Sequence, residues 1–249
     1  MRFGVIAEGH ADIDVIKAVL KALKGIDGSE VRKIRPSDQY DETDLHALNF
    51  SNWTLVLESC QDKTLLSGFF DMLQEDALLI VQIDTAERTE QGYDTPLPLR
   101  EKNMDWSIYS ESVYKCVRER ISLLIPEEYR EKVAFAIAVE ETDAWLIPLF
   151  DNLCDETARY ANPKEKLRDL IGKLGKKEKS KYIDSNKKNL NYMEIGKGLK
   201  KKGIKVCRSK NKSLDLFCLE LDQKINSACI RYFSDKILNN TFSLHYVTF

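Results

Sequence analysis

Acidic side chains directly follow three short apolar runs of this sequence, and they are the residues best placed to do chemistry. Their positions are Glu8 after residues 3–7, Asp84 after residues 77–83, and Glu140 and Asp143 after residues 133–139. Apolar runs of five to eight residues are typical of buried strands, and carboxylates at the ends of several such strands converge on one place. Converging carboxylates repel one another, so their natural occupant is a hard divalent cation such as Mg²⁺. The pattern therefore predicts a metal site of the kind that serves phosphodiester chemistry.

The elements that would position these acids alternate between strand-like and helix-like patterns over the first 150 residues. Apolar residues at helical spacing follow the first run, beginning at Ile13, and precede the second run, beginning at Leu65. A further short strand is predicted at 31–35, where Pro36 stops it, and a helix at 108–124. Such alternation predicts an α/β fold, a mainly parallel sheet flanked by helices. Ligands bind such sheets beyond the carboxyl ends of the strands, where the acids emerge.

Three segments between these elements have weaker patterns. Residues 38–50 are polar and predict a loop or insertion. Residues 52–59 favour a strand through the β-prone core Trp53 to Leu57, but they also fit the beginning of the following helix. Residues 85–106 contain Gly92, Pro96 and Pro98 and have no periodicity, which predicts a long loop beyond an acidic strand end.

Composition excludes several classes of protein. The chain has 249 residues, a net charge of −2 and 43% hydrophobic residues, which suits a globular protein of one large or two small domains. Without an apolar run of about 18 residues or a secretory segment after Met1, we expect a cytoplasmic protein with no membrane partner. The six cysteines form no C-x-x-C pair, which argues against zinc. The sequence Gly196-Lys197-Gly198 is not a phosphate-binding P-loop, so any ATP dependence must come from a partner.

The charge is distributed very unevenly along the chain. Residues 163–213 contain 16 Lys and 2 Arg against 5 acidic residues, a net charge of +13, whereas residues 1–162 have a net charge of −14. We therefore divide the chain into a catalytic domain, 1–160, and a basic α-helical region, 161–249, with helices predicted from Pro163, near 192–202 and over 214–233. The basic region either binds the phosphates of DNA or RNA or only balances the acidic domain. The candidate nucleic-acid-binding residues are Lys200, Lys201, Lys202, Arg208, Lys210 and Lys212.

The acidic motifs resemble a known family. The strand followed by Glu8, Gly9 and Asp12, the strand followed by Asp84, and the strand followed by Glu140-Glu141-Thr142-Asp143-Ala144-Trp145-Leu146 are similar to the TOPRIM domain of topoisomerases, primases and overcoming-lysogenization-defect nucleases. The chain most resembles small stand-alone TOPRIM nucleases of bacterial phage-defence loci. Residues 207–217, with Arg208, Ser213 and Phe217, resemble the Arg and Ser-Phe-x-x-Phe helix start near the C-terminus of those proteins.

The resemblance implies a Mg²⁺- or Mn²⁺-dependent nuclease with a role in phage defence, controlled by a separately encoded ATPase. Asp84 would hold the principal metal, and Glu8 would be a ligand or, through a bound water, the general base. Glu87, Glu140 and Asp143 would complete the metal sites, and Asp12 would orient the site or cap a helix, with capping favoured. The family usually has Asp-x-Asp in its middle motif, whereas Ala86 stands at the second acid here. Either Glu87 supplies the missing ligand, or the metal binds less tightly, or catalysis is impaired.

Two other functions fit the sequence. Ala86 favours a non-catalytic TOPRIM-like binding or regulatory subunit of a defence complex. A primase-like nucleotidyl transferase is disfavoured because no zinc-ribbon or helicase-type segment accompanies the domain. The sequence leaves open the choice between DNA and RNA, the identity of the partner and whether the chain forms a homo-oligomer.

Overall fold

The architecture comes from a computed structural model that describes residues 1–36, 52–71, 76–151, 153–183 and 189–243. Lys201 and residues 228–243 are described by their backbone alone. The predicted loop or insertion at 38–50 lies outside these ranges. None of the helices in the described ranges is long and apolar enough to cross a lipid bilayer.

A four-stranded parallel sheet forms the centre of the protein. Its strands are β1 (Arg2–Ile6), β2 (Val31–Arg35), β3 (Ala77–Asp84) and β4 (Val133–Ala138), in the order β2-β1-β3-β4. Both faces of a parallel sheet are covered, which explains why the inner strands are continuous apolar runs. The predicted α/β fold, with a mainly parallel sheet flanked by helices, is confirmed.

The strand order reverses direction between β1 and β3. From β1 the chain crosses to β2 on one side, and it then returns to β3 on the other side of β1. In open α/β sheets this switch point opens a crevice at the carboxyl ends of the two strands, because the following connections leave in opposite directions. Glu8 and Asp84 lie at that crevice.

The two faces of the sheet have separate hydrophobic cores. On one face, α1 (His10–Lys24), α6 (Pro163–Gly172), α8 (Tyr192–Gly196), α9 (Lys201–Lys210) and α10 (Lys212–Ser243) contribute buried side chains to one cluster. On the other face lie α2 (Trp53–Gln61), α3 (Lys63–Phe70) and α4 (Trp106–Leu124). The short helices α5 (Glu127–Arg130) and α7 (Lys176–Tyr182) complete the described set. Side chains alternate between the two clusters along each strand, as the pleat requires.

Residues 52–59 form a helix, so the strand favoured for this segment is wrong. The Asn52 side chain accepts a hydrogen bond from the Leu55 N–H (3.0 Å) and caps the N-terminus of α2. Val56, Leu57 and Cys60 are buried at helical spacing. The cap and this spacing outweigh the β preference of the individual residues, since that preference depends on having a sheet position to fill.

The basic region packs onto the sheet. Leu167, Leu199 and Phe217 belong to the same core cluster as strand residues of β1, β3 and β4, and α10 lies against β4. The division at residue 160 stays a prediction, and the described residues on its two sides share one core. The helix predicted at 192–202 is instead α8, a 3₁₀ turn at Lys197–Leu199, and the beginning of α9. Gly196 permits a close approach to α1, because a Cβ there would lie 2.7 Å from the Ala18 Cβ.

Candidate active site

Glu8 and Asp84 are held together at the ends of the two central strands. The backbone N–H of Asp84 donates a hydrogen bond of 2.7 Å to Glu8 Oε1. Asp84 is the last residue of β3, and Glu8 lies two residues beyond the end of β1. The parallel pairing of β1 with β3 therefore brings together two acids that are 76 residues apart in sequence.

Two buried polar side chains fix this pair. Gln82, fully buried on β3, accepts a hydrogen bond from the Glu8 N–H (3.0 Å) and donates from Nε2 to Asp84 Oδ1 (2.8 Å) and to Thr142 Oγ1 (3.0 Å). Thr142 donates to the same Asp84 oxygen from its backbone N–H (3.1 Å) and its hydroxyl (3.0 Å). Asp84 Oδ1 therefore accepts three hydrogen bonds, which set the orientation of the carboxylate.

Asp12 and Asp143 join Glu8 and Asp84 in what we call the acid cluster. The pKa of Glu8 is raised to about 8, mainly by burial and in smaller part by the charges of Asp12 and Glu87. Burial also raises the pKa of Asp84 well above its ordinary value, with repulsion from Asp12, Glu8 and Asp143 adding to the effect. The pKa of Asp12 and that of Asp143 are each raised to about 6, mainly by burial. Asp84 lies close enough to the other three carboxyls for the charge of each to oppose its ionisation.

Asp12 is not the N-cap residue of α1, but it lies in the first turn, where its negative charge interacts favourably with the helix dipole as the capping role predicts. The helix begins at His10 with Gly9 as the N-cap. The carboxylate packs over Gly9, where a Cβ would lie 3.2 Å from Asp12 Oδ2. Asp12 also acts on Asp84. Among the acids whose charges raise the pKa of Asp84, Asp12 has the largest effect.

Glu140 is not part of the acid cluster and is paired with Arg100, so its place in the metal site stays a prediction that the described contacts do not favour. Its Oε1 accepts hydrogen bonds from Arg100 Nη1 (2.5 Å) and from the Tyr109 hydroxyl (3.2 Å). β4 ends at Ala138, and Glu140 adopts a left-handed backbone conformation with φ of 67°. The Glu140 N–H donates a hydrogen bond to the Thr85 hydroxyl (2.9 Å), and the Thr85 N–H donates one to the Glu140 carbonyl (3.0 Å). The backbone turn directs the side chain to Arg100 instead of the cluster.

Glu87 lies at the rim of the cluster. Partial burial raises its pKa, with smaller contributions from Glu90, Glu141 and Glu140. Its charge in turn raises the pKa of Glu8, although no hydrogen bond links the two side chains among the described residues. The neighbouring Ala86, at the position of the family's second acid, is exposed.

The predicted nucleic-acid-binding residues differ in their exposure and in whether they pair with a carboxylate. Arg208 pairs with Asp215 (2.8 Å), and Lys212 lies 3.6 Å from Glu111. Lys200 and Lys202 are exposed and Lys210 is partly buried. The side chain of Lys201 lies outside the described part. None of these residues is linked to the acid cluster by a described hydrogen bond or ion pair.

The structure adds two residues that the sequence did not indicate. The Tyr192 hydroxyl on α8 donates a 2.7 Å hydrogen bond to Asp143 Oδ1. Lys164 on α6 lowers the pKa of both Asp12 and Asp143 through its charge, and its N–H donates to Glu141 Oε2 (3.1 Å). No sequence signal marks either residue, because each is brought to the site by the packing of the C-terminal helices.

Trp145 is a core residue behind the acid cluster. It is fully buried, its Nε1 donates to Ser213 Oγ (2.9 Å), and its ring stacks on Phe217 with centroids 5.7 Å apart. Ser213 also donates to Asn211 Oδ1 (2.9 Å), and Asn211 caps the first turn of α10 by accepting the Leu214 N–H (2.8 Å). Two of the segments that carry the family resemblance, 140–146 and 207–217, therefore pack directly on each other.

The acid cluster offers the oxygen donors that hard divalent cations take, and buried carboxyls with raised pKa values gain most from a neutralising cation. Within the described ranges, no group of three or more His, Cys, Asp or Glu side chains is arranged to hold a metal ion. Mg²⁺ binds proteins through one or two carboxylates and keeps several waters, so it does not require such a group. Asp84 with one neighbour of the cluster fits Mg²⁺ or Mn²⁺ on the chemistry of the donors.

Comparisons of the chain with the models of known protein families, with curated proteins and with solved structures found no match.

Proposed function

We propose that this protein is a divalent-cation-dependent phosphodiesterase that cleaves DNA or RNA, as its resemblance to TOPRIM nucleases implies. The observation that carries the proposal is the acid cluster at the switch point of the sheet, where four carboxyls with raised pKa values converge. Perturbed carboxyls in a crevice of this kind are typical of functional sites, because repulsion between them costs stability that a purely structural site would avoid.

Asp84 is the central residue of the proposed site. It is the acid whose ionisation is opposed by each of the other three, so a cation bound to it relieves the most repulsion. Its described hydrogen bonds from Gln82 and Thr142 all go to Oδ1, so Oδ2 is the oxygen that would bind a cation. A bound Mg²⁺ would polarise the phosphoryl group and lower the pKa of a coordinated water.

Glu8 supports a second role in the same site. Without a cation the pKa of Glu8 is raised to about 8, and the charge of a bound cation would lower it toward the range in which a carboxylate accepts a proton from water at neutral pH. The Asp84 N–H and the Gln82 side chain hold Glu8 in position on both its carboxyl and its backbone. Glu8 is therefore the general base that this site supports, with Asp12 and Asp143 completing the negative charge around Asp84.

The test is cleavage by the purified protein of plasmid, single-stranded DNA and tRNA in Mg²⁺, Mn²⁺ or EDTA. We expect cleavage of at least one substrate that requires the cation and is lost in Asp84→Asn and Glu8→Gln. Glu128→Gln is the matched control, since Glu128 is an exposed acid that precedes β4 at the opposite edge of the sheet. Cation-independent cleavage, or full activity in Asp84→Asn, would refute the proposal.

A regulatory subunit that binds nucleic acid without cleaving it is the second candidate function. The observation that favours it is the exposed Ala86 at the second acid of the middle motif, together with the pairing of Glu140 with Arg100. Cation binding and nucleic-acid binding without turnover, on every substrate of the panel, would select this function. The partner ATPase and the role in phage defence implied by the resemblance stay predictions.

A further inference from the structure

A groove of about 480 Å³ runs between α1, α6 and α8, beside the acid cluster. Ala11, Lys164, Arg168, Leu190, Tyr192 and Met193 are among its lining residues. Its volume lies in the range of small-ligand sites, about 300–1,000 Å³. A larger groove, about 600 Å³, lies between α4 and α10, and none of its lining residues belongs to the acid cluster or bonds to it.

The groove between α1, α6 and α8 is continuous with the acid cluster. Tyr192 lines the groove and donates its hydroxyl to Asp143 (2.7 Å), and Ala11 precedes Asp12 on α1. α6 packs on the 3₁₀ turn Thr142–Trp145 that carries Asp143. A ligand seated in the groove would therefore extend to the carboxyls of the cluster.

Two cations on one face of α6 line the groove. Lys164 and Arg168 are four residues apart, both are exposed, and neither forms an ion pair with a carboxylate among the described residues. Like charges at this spacing repel each other, so an anion between them would be stabilising. Asp14 is the one carboxylate among the described lining residues of the groove. Burial raises its pKa, and the charges of Lys17, Lys33 and His10 partly offset the rise.

We propose that this groove binds the sugar-phosphate backbone of the nucleic-acid substrate, with Lys164 and Arg168 contacting phosphates next to the one at the acid cluster. The inference rests on the proposed function and names how that site positions its substrate. The chemistry is the usual one for nucleic-acid backbones, in which Lys and Arg neutralise phosphate oxygens. Placing two cations beside four carboxyls also offsets the repulsion that the cluster exerts on an approaching polyanion.

This assignment differs from the lysines selected from sequence. Arg208 and Lys212 are engaged by Asp215 and Glu111, and no described contact joins Lys200, Lys202 or Lys210 to the acid cluster. Among the basic residues discussed for binding, Lys164 is the one whose charge is seen to lower the pKa of acid-cluster carboxyls, those of Asp12 and Asp143. The backbone contacts nearest to the scissile phosphate are therefore made by α6.

The experiment compares the binding of a labelled 20-nucleotide single-stranded DNA, in EDTA, to the wild type and to Lys164→Glu/Arg168→Glu at several salt concentrations. Two lost contacts predict a slope of log K against log salt that is shallower by about 1.4, and a Kd at least about tenfold higher at low salt. The control Lys63→Glu/Arg120→Glu reverses one Lys and one Arg on the opposite face, on α3 and α4, and leaves the slope unchanged. If the double reversal does not fold, Lys164→Ala and Arg168→Ala each predict a slope shallower by about 0.7.

An unchanged slope and Kd in the reversed protein would overturn the inference, as would a wild type that binds neither this DNA nor an RNA of the same sequence. Equal losses in the Lys63/Arg120 control would also overturn it, since they would report net charge alone. The proposed function is judged separately, by cleavage in Mg²⁺. A protein that binds through α6 but cleaves nothing contradicts the phosphodiesterase and not the groove, and a protein that cleaves with its binding unaffected by the reversal contradicts only the groove.

Discussion

Acids lie at two places along the same edge of the sheet, and their surroundings are opposite. Beyond β1 and β3, burial raises the pKa values of Glu8, Asp12, Asp84 and Asp143, and repulsion from the other three acids raises that of Asp84 further. Beyond β4, Glu140 is neutralised by Arg100, and the Tyr109 hydroxyl completes its hydrogen bonds. A buried acid that keeps its cationic partner carries no uncompensated charge, whereas a group of buried acids without one costs stability and is typical of functional sites. We accordingly assign the proposed chemistry to the acid cluster and a structural role to the Glu140–Arg100 pair.

The largest expected effect is on catalysis by Asp84→Asn. The amide keeps the shape of the side chain but removes the charge that each other acid opposes, so turnover should fall about 10³-fold or more. Stability should stay equal or rise, because repulsion in the cluster is relieved. Cleavage rates and thermal melting of the same preparations measure both. A variant that loses its activity only by unfolding would contradict the distinction between the two places.

Glu140→Gln should have the opposite profile. It leaves the partly buried Arg100 without its carboxylate, which costs about 1–3 kcal/mol of stability. Turnover should stay within about threefold of the wild type, since Glu140 lies outside the acid cluster. Denaturant unfolding and cleavage rates are the measurements, with Glu128→Gln as control. Loss of turnover at unchanged stability would place Glu140 in the active site, as the sequence had predicted.

Stability should fall as the pH rises from about 4 to 8 in EDTA. The folded acid cluster binds protons up to higher pH than the unfolded chain does, since the pKa values of Asp12 and Asp143 are raised to about 6 and that of Glu8 to about 8. The contribution is present below the unfolded pKa values and is lost as the folded groups ionise, so Tm should drop by about 5 °C or more. Mg²⁺ should restore the loss increasingly at higher pH. A Tm that rises steadily through this window would show that the cluster does not carry uncompensated charge.

The smallest effect is expected for Glu87→Gln. Glu87 lies at the rim and acts on Glu8 through its charge, so its loss should slow cleavage less than about tenfold and shift the acidic limb of the pH–rate profile to lower pH. The shift of the acidic limb is the measurement that separates an effect on Glu8 through charge from direct binding of the cation by Glu87. A loss as large as that of Asp84→Asn would show that Glu87 replaces the acid missing at Ala86.

The sequence predicts the sheet and its strand-end acids well because both depend on local patterns. Apolar runs identify β1, β3 and β4, and parallel pairing then places Glu8 beside Asp84. Gln82 could also have been found, since a polar residue inside a buried strand must be hydrogen-bonded and here orients Asp84.

The rest depends on contacts between distant segments. Nothing near Glu140 in the sequence indicates Arg100 or the left-handed turn that aims its side chain away from the cluster. Tyr192 reaches the acids only because α8 packs on α1, and Lys164 only because α6 packs on the 3₁₀ turn Thr142–Trp145. α2 is a helix because of its cap and its packing. Charge counts found the basic region but could not show which of its cations lie near the site.

Calorimetric titration with Mn²⁺ of the wild type, Asp84→Asn and Glu140→Gln decides between the two places as the cation site. We predict that the wild type and Glu140→Gln bind the ion with similar affinity and that Asp84→Asn does not bind it. Equal binding by the wild type and Asp84→Asn, or loss of binding in Glu140→Gln with the fold intact, would contradict the assignment of the acid cluster as the metal site.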